Sequence, residues 1–572
     1  MKLASRPWLA TALLATAVLA GACSDDDDGG NGPNTPPAPA NVQAPTVTET
    51  SVALTWDAVT GADSYVVQRE VAAAPAVRGT ALSVSMVFET VGTPATNAFT
   101  DETVSAGTTY NYRVAAVVDG TQGTFSTPIQ VSTGEGAKVA IVDEDITADR
   151  TFFADSTYIL AGFIHVANGA TLTIQAGTTI IGDYDIVGSS LFVLRGSRIE
   201  ANGTAEAPIV FTSERAPGQR LAGDWGGVII VGDGIINRTG PIILEGSGTN
   251  TNNNYPVDYA SGDNNADDSG TLRYVRIEFA GYGPLEAAEL NGLTLAAVGS
   301  GTTIEYIQVL RGLDDSYEWF GGAVDAKYLV SYESGDDHFD MSEGYVGRVQ
   351  YAIAFQSEVP TQRPGAGSAS GDPQSVENDG CGGGASCPLG HASTPFNQPM
   401  LANFTLVGPP AGVFTAGSGG YGMVLRRGTA GFYVNGLVAR FEKAAYSLRD
   451  TETANRVADG SLILSHVVDA EVGAQFHAGQ TGGTFDPGTY SLTASALTAA
   501  ASFLALPANP AGPGDFDWTP AGASEATAGG MNPFTGDILT KAGAFVTATA
   551  YRGAVDPAGP KWWQNWTNYL DN

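Results

Sequence analysis

Short β-branched runs recur along most of this chain at close to a fixed spacing, and that period limits the folds open to it. LRYVRIEFAG begins at 272, TIEYIQVLRG at 303, VDAKYLVSYESG at 324 and GRVQYAIAFQ at 347, spacings of 31, 21 and 23 residues. Each run favours strand and each ends in a turn. A unit of this length cannot bury its apolar face alone, whereas stacked units share one continuous apolar ladder, which is the logic of a solenoid. Earlier runs at 171–180, 190–203, 208–213 and 227–234, and later ones at 403–408, 422–428, 431–441 and 461–470, extend the rhythm. Gly at 73 residues and 43% hydrophobic residues suit a turn-rich all-β core better than disorder.

The strings LRGSRIEANGTAEAPIVFTS, GDWGGVIIVG, DDSGTLRYVRIEFAG, YEWFGGAVDAKYLV and GDDHFDMSEGYVGRVQ resemble the right-handed parallel β-helix superfamily. They look most like a widespread group of secreted or lipid-anchored bacterial proteins of mostly unassigned function. The resemblance implies a parallel β-helix over 138–572 and little about activity, because one fold hosts many functions. Ser247–Gly270, Pro360–Met400 and Pro507–Asn532 are expected to leave the solenoid as loop inserts. The tail, with Trp562, Trp563 and Trp566, is expected to form an apolar C-terminal cap on the last coil.

A different rhythm occupies residues 42–133. SVALTWDAV places Val52, Leu54 and Trp56 on one face, and TTYNYRVAAV does the same with Tyr110, Tyr112 and Val114. Short alternating strands at this length suggest a β-sandwich. The segment resembles a fibronectin type III domain, with Trp56 at the buried strand B position and Tyr110 at the tyrosine corner, both structural.

At the N-terminus, Lys2 and Arg6 precede an apolar stretch from Leu9 to Leu19, and small residues lead to Cys23. This is the pattern of a secretory signal over 1–22. It resembles a lipobox, which implies a lipidated Cys23. Ser24–Asp28 resembles the export signal of surface lipoproteins in Bacteroidetes-type bacteria, and residues 23–41 read as an acidic, Pro- and Asn-rich tether. The expected location is the outer membrane, lipid-anchored and facing the exterior. Membrane contact is expected through the lipid anchor alone.

Acidic residues outnumber basic ones 60 to 27, a formal charge of −33. Nucleic acid is thereby excluded as a partner, while a polysaccharide or another envelope protein remains open. Cys381 and Cys387, six residues apart in a glycine-rich loop of an exported chain, suggest a disulfide over a redox or metal site. No organic cofactor is expected.

The densest acidic group comprises Asp314, Asp315, Glu318, Asp336, Asp337 and Asp340. Asp315 and Asp337 are 22 residues apart, one coil, so the two Asp-Asp pairs should stack. Stacked carboxylates repel unless protons, cations or basic groups offset them, and Ca2+ answers with oxygen coordination. An enzyme reading uses Asp315 and Asp337 as acid and base or as calcium ligands, with His338 beside them and Arg311 or Arg348 as base or clamp. The Asn-x-Asp, Asp-Asp, Gly-His-Gly and Arg-x-Lys set of the polygalacturonase family is missing. Trp225 and Trp319 are candidates for a carbohydrate-stacking face, and each equally suits an apolar edge.

The expectation is a cell-surface lipoprotein with a binding or structural role at the bacterial envelope. The alternatives are a calcium-assisted polysaccharide lyase or glycoside hydrolase, and a subunit of a surface assembly.

Overall fold

A computed structural model describes residues 35–72, 86–134, 138–284, 289–414, 419–497, 504–506 and 513–569. Cys23, the signal segment and most of the tether lie outside them. The chain divides into two units, Met1–Gly136 and Ala137–Asn572.

The first unit is a fibronectin-type-III-like sandwich. One sheet joins Gln43–Val47, Val52–Thr55 and Ala98–Asp101; the other is built on Ser64–Ala72 and Thr109–Val118. Alternation turns Val52, Leu54, Trp56, Tyr65, Tyr112 and Val114 into the shared core. Tyr110 closes the corner, its hydroxyl accepting from Ser105 N at 2.8 Å.

The second unit is a parallel β-helix. Among the described residues, one sheet of 17 strands and one of nine run its length, and every pairing between their strands is parallel. In the nine-stranded sheet, side chains in register form rows through the coils. Val193, Ile230, Leu295, Trp319 and Met341 make one inward row. Such rows bury apolar surface continuously, at about 25 cal/mol per Å².

The longer sheet bends where residues adopt positive φ. Tyr274, Tyr306, Tyr328 and Tyr351, with φ from 49° to 66°, occupy one corner position in successive coils. Left-handed backbone costs a non-glycine residue about 1–2 kcal/mol. Ring stacking at centroid distances of 4.3, 4.4 and 4.9 Å offsets part of that cost. Asn403 and Asn435 continue the corner, and Asn tolerates this conformation better.

Two expectations are corrected. Pro360–Met400 is not a single loop, because Val376–Asp379 returns to the nine-stranded sheet as a full strand. Its sequence, VEND, has poor strand propensity; tertiary pairing overrides it. Nor does the tail cap the last coil. It lies along the flank, where Phe279, Leu310, Val330, Tyr332 and Phe355 form an apolar stripe that Trp563, Trp566 and Tyr569 cover. Trp566 O accepts from Arg276 Nη1 at 3.2 Å, and Asn568 O accepts from Gln308 Nε2 at 2.6 Å. A stripe spanning many coils offers more apolar area than one end face, so the indoles go there.

Candidate functional site

The outer face of the nine-stranded sheet changes character along the solenoid. Toward the N-terminus its outward residues Phe192, Ile229 and Val231 are apolar and lie beneath the insert residues Ile236, Ile242, Leu244, Val257 and Tyr259. Beyond that cover the outward row becomes Thr294, Glu318, Asp340 and Glu377, each in register with the next. Strict alternation explains it. In YEWF, Tyr317 and Trp319 turn inward and Glu318 outward; in FDMS, Phe339 and Met341 turn inward and Asp340 outward.

The turns entering these strands add the two Asp-Asp pairs. Asp337 N donates to Asp315 Oδ1 at 2.8 Å, and Gln374 N donates to Asp337 Oδ1 at 2.5 Å. Carboxylate oxygens lie within 4.8 Å of one another in three overlapping groups: Asp314, Asp315 and Asp336; Asp315, Glu318 and Asp340; Asp337, Asp340 and Glu377. Shared members join them into one centre. Asn291, fully buried, donates to Glu245 at 3.0 Å and to Glu318 at 2.5 Å.

Burial is the leading cause of raised proton affinity throughout. Asp314, Asp315, Glu318, Asp337 and Asp340 are all held well above the usual carboxylate range by burial, reinforced by one another's charge. Asp336 is pushed up to about 7, and Glu377 to about 8 by burial and the neighbouring Asp379. Asp336 Oδ1 and Asp340 Oδ1 are buried and receive no hydrogen bond from a described residue. An all-oxygen donor set with two orphaned buried oxygens fits a hard divalent cation such as Ca2+, and suits zinc poorly.

Beside this centre is a cavity of about 300 Å³ lined by Glu318, Asp340, Glu377, Arg238, Arg426 and Arg427. Arg426 pairs with Glu377 and Asp379, Arg427 with Asp379, and Arg238 with Glu343. The Cys381–Cys387 disulfide is formed. Its loop is part of the cavity wall through Gly380, Gly382 and Gly383. A Cβ at Gly382 would stand 2.7 Å from the Arg427 guanidinium, and one at Gly383 2.5 Å from that of Arg238. A side chain at either position would push the neighbouring guanidinium aside.

Several expected roles are excluded by position. Trp225 and Trp319 are fully buried; Trp225 donates its indole N–H to Glu278 O at 2.7 Å, and Trp319 stacks on Tyr345 inside the coil. Neither presents a face to a sugar. His338 is buried, its Nδ1 lies 2.5 Å from Ser331 Oγ, and burial lowers its pKa to about 3. It stays neutral and out of reach as an acid or base. Arg311 pairs with Glu358 at 2.9 Å. Arg348 grips Asp325, whose hydrogen bond raises its pKa, the wrong direction for a base.

The sequence reading missed Glu245, Asn291, Glu377, Arg238, Arg426 and Arg427. Glu377 follows Asp340 by 37 residues, not 22, because an insert intervenes. Glu245 and Arg238 come from another insert with no periodic signal.

Residues 144–512 match the family model described as "Pectate-lyase like beta helix domain", and residues 37–132 match "Fibronectin type III domain". No curated protein matches the chain. Similar solved structures include the domain of human fibronectin type III domain containing protein 3, 19% identical over 19% of this chain and 94% of that one, with a TM-score of 0.15. A Fn3-like protein from Clostridium thermocellum is 27% identical over 18% of this chain and 97% of that one, with a TM-score of 0.14. At these scores neither adds to the architecture already described.

Proposed function

Because the chain belongs to the pectate-lyase-like β-helix family, we propose that its second unit binds and cleaves an acidic polysaccharide by elimination, using a divalent cation held on the carboxylate row. The single observation that carries this reading is the register of Glu318, Asp340 and Glu377 beside an arginine-lined cavity. With the Asp pairs they form three overlapping triads, Asp314–Asp315–Asp336, Asp315–Glu318–Asp340 and Asp337–Asp340–Glu377, and within each triad the oxygens lie within 4.8 Å of one another, the spacing of ligands around one ion. An acid and base straddling a glycosidic bond stand about 5–9 Å apart, so the arrangement favours metal binding over hydrolysis.

Asp314, Asp315, Glu318, Asp336, Asp337, Asp340 and Glu377 would hold the cation. Bound there, it would neutralise a uronate carboxylate and so acidify the adjacent C–H, whose proton would pass to a solvent water as the C=C bond forms, the glycosidic C–O bond breaks and the leaving sugar oxygen takes a proton from water. Arg426 fixes Glu377 and Asp379 in place. Arg427, with 42% of its side chain exposed, is the guanidinium we assign to a substrate carboxylate, for which a planar fork is suited.

The test is incubation with a panel of uronate polymers, with calcium and then with chelator. Unsaturated product that needs calcium and is lost in Asp340→Asn supports elimination; product that persists in chelator refutes it. A second reading, cation-dependent binding without cleavage, is favoured by one observation: Arg238, Arg426 and Arg427 are each ion-paired. Saturable calcium-dependent binding with no product across the panel would establish it.

We further propose that the mature chain is tethered to the outer membrane through lipidated Cys23, facing the exterior. The signal-like segment and the acidic tether support this. Cys23→Ser should release the protein from membrane fractions, and retention would refute the anchor.

A further inference from the structure

A second cavity, of about 600 Å³, lies where the chain turns from the nine-stranded sheet into the longer one. Ser300, Asp325, Arg348, Gln398, Phe432 and Ser461 line it from six successive coils. With strands about 4.8 Å apart, five steps make a groove roughly 24 Å long, parallel to the solenoid axis. The helix Gly536–Ala542 forms a wall through Asp537, Thr540 and Lys541.

From this geometry we infer a binding groove for a neutral, extended polysaccharide chain, separate from the acidic row. Length comes first: a sugar residue in an extended chain advances by about one coil spacing, so a short oligosaccharide fills the groove end to end. Chemistry comes second. The lining presents carboxylate, guanidinium, amide and hydroxyl groups, and planar polar groups meet pairs of adjacent sugar hydroxyls with two hydrogen bonds at once.

These groups are already fixed. Arg348 Nε donates to Asp325 Oδ1 at 2.9 Å and its Nη1 to Ala542 O at 3.1 Å. Lys541 Nζ donates to Val346 O at 2.5 Å, and Asp459 Oδ1 accepts from Ser461 N at 2.9 Å. Preorganised partners lose little entropy on binding.

Charge and topology reject the obvious competitors. Arg348 and Lys541 share the lining with Asp325, Asp459 and Asp537, and Arg348 is already paired with Asp325, so a polyanion gains no net attraction. Floor strands such as Asp325–Tyr332 and Arg348–Phe355 pair on both sides. No sheet edge is offered for a peptide to extend.

The test is calorimetric titration of the full chain with neutral β-1,4-linked pentasaccharides of glucose, mannose and xylose, with and without calcium. A ten-residue Gly-Ser peptide is the extended-chain control. At least one sugar should bind with or without chelator. Thr540→Trp, on the exposed side of the helix, should weaken binding at least tenfold, and Asp537→Arg, which crowds the same wall, should weaken it too. Asp340→Asn should leave it unchanged. Three outcomes would overturn the inference: no sugar binds; binding is indifferent to both groove variants while melting curves show them folded; or the peptide binds as well. Loss of sugar binding in Asp340→Asn would also overturn it, by assigning the sugar to the acidic row; loss of calcium-dependent cleavage alone would not.

Discussion

Asp340→Asn should stabilise the protein in chelator and destabilise it in calcium. Asp340 sits in register between Glu318 and Glu377, with carboxylate oxygens within 4.8 Å on both sides. Two full charges at that distance repel by about 3.5 kcal/mol at an effective dielectric constant near 20. Protons held by the row relieve part of this, so removing one carboxylate should return about 1–3 kcal/mol without a cation, a rise in Tm of about 1–3 °C for a unit of this length. With calcium the sign reverses. A ligand at several hundred times its Kd stabilises the folded state by about 3–4 kcal/mol, and a row short of its central carboxylate forfeits most of that. Differential scanning calorimetry of both proteins in chelator and in millimolar calcium reads both signs. An Asp340→Asn variant that melts lower than the parent by the same margin in both buffers would show that the row is neither repulsive nor a cation site.

The same row gives the protein a pH dependence. Asp336 at about 7 and Glu377 at about 8 hold protons more tightly folded than unfolded. In chelator, stability should therefore be full below about pH 4 and fall as pH rises through 7 and 8, a slope that calcium should flatten; melting curves across that range check it. Trp319→Ala should cost about 3–5 kcal/mol, since the side chain is fully buried, and an unchanged Tm would contradict its place in the core. Thiol labelling of denatured, unreduced protein should miss Cys381 and Cys387. Replacing both by Ser should cost about 2 kcal/mol for so short a loop, with urea unfolding as the measure.

The solenoid was legible because its signal repeats. Alternation in runs such as TIEYIQVL determines which side chains enter the coil, and a 22-residue interval predicted the stacking of Asp315 on Asp337. Legibility ended where the period broke. Val376–Asp379 reads as a polar loop because Glu377 and Asp379 point outward and Asn378, although inward, is polar; its amide is bonded to the Tyr433 hydroxyl. Arg238 and Arg427 reach the cavity from segments far apart in sequence, and no local pattern marks such convergence. The tryptophans are ambiguous in sequence for a related reason: an aromatic residue in a strand looks the same whether it faces sugar or core. Only the register with Leu295 and Met341 settled that Trp319 faces inward.

The course of the tail changes how the unit folds. Stacked coils by themselves contact only their neighbours, so they can form in sequence and fray one at a time. Here the hydrogen bond from Arg276 to Trp566 joins residues 290 positions apart, and that from Gln308 to Asn568 joins residues 260 apart. Coils near the middle of the stack are joined to residues 566–568, far downstream in sequence. Loop closure over such distances is slow, and once made it ties early and late coils into one cooperative block. The middle of this solenoid should resist local opening more strongly than isolated coils would, and that resistance should depend on Trp566 and Asn568.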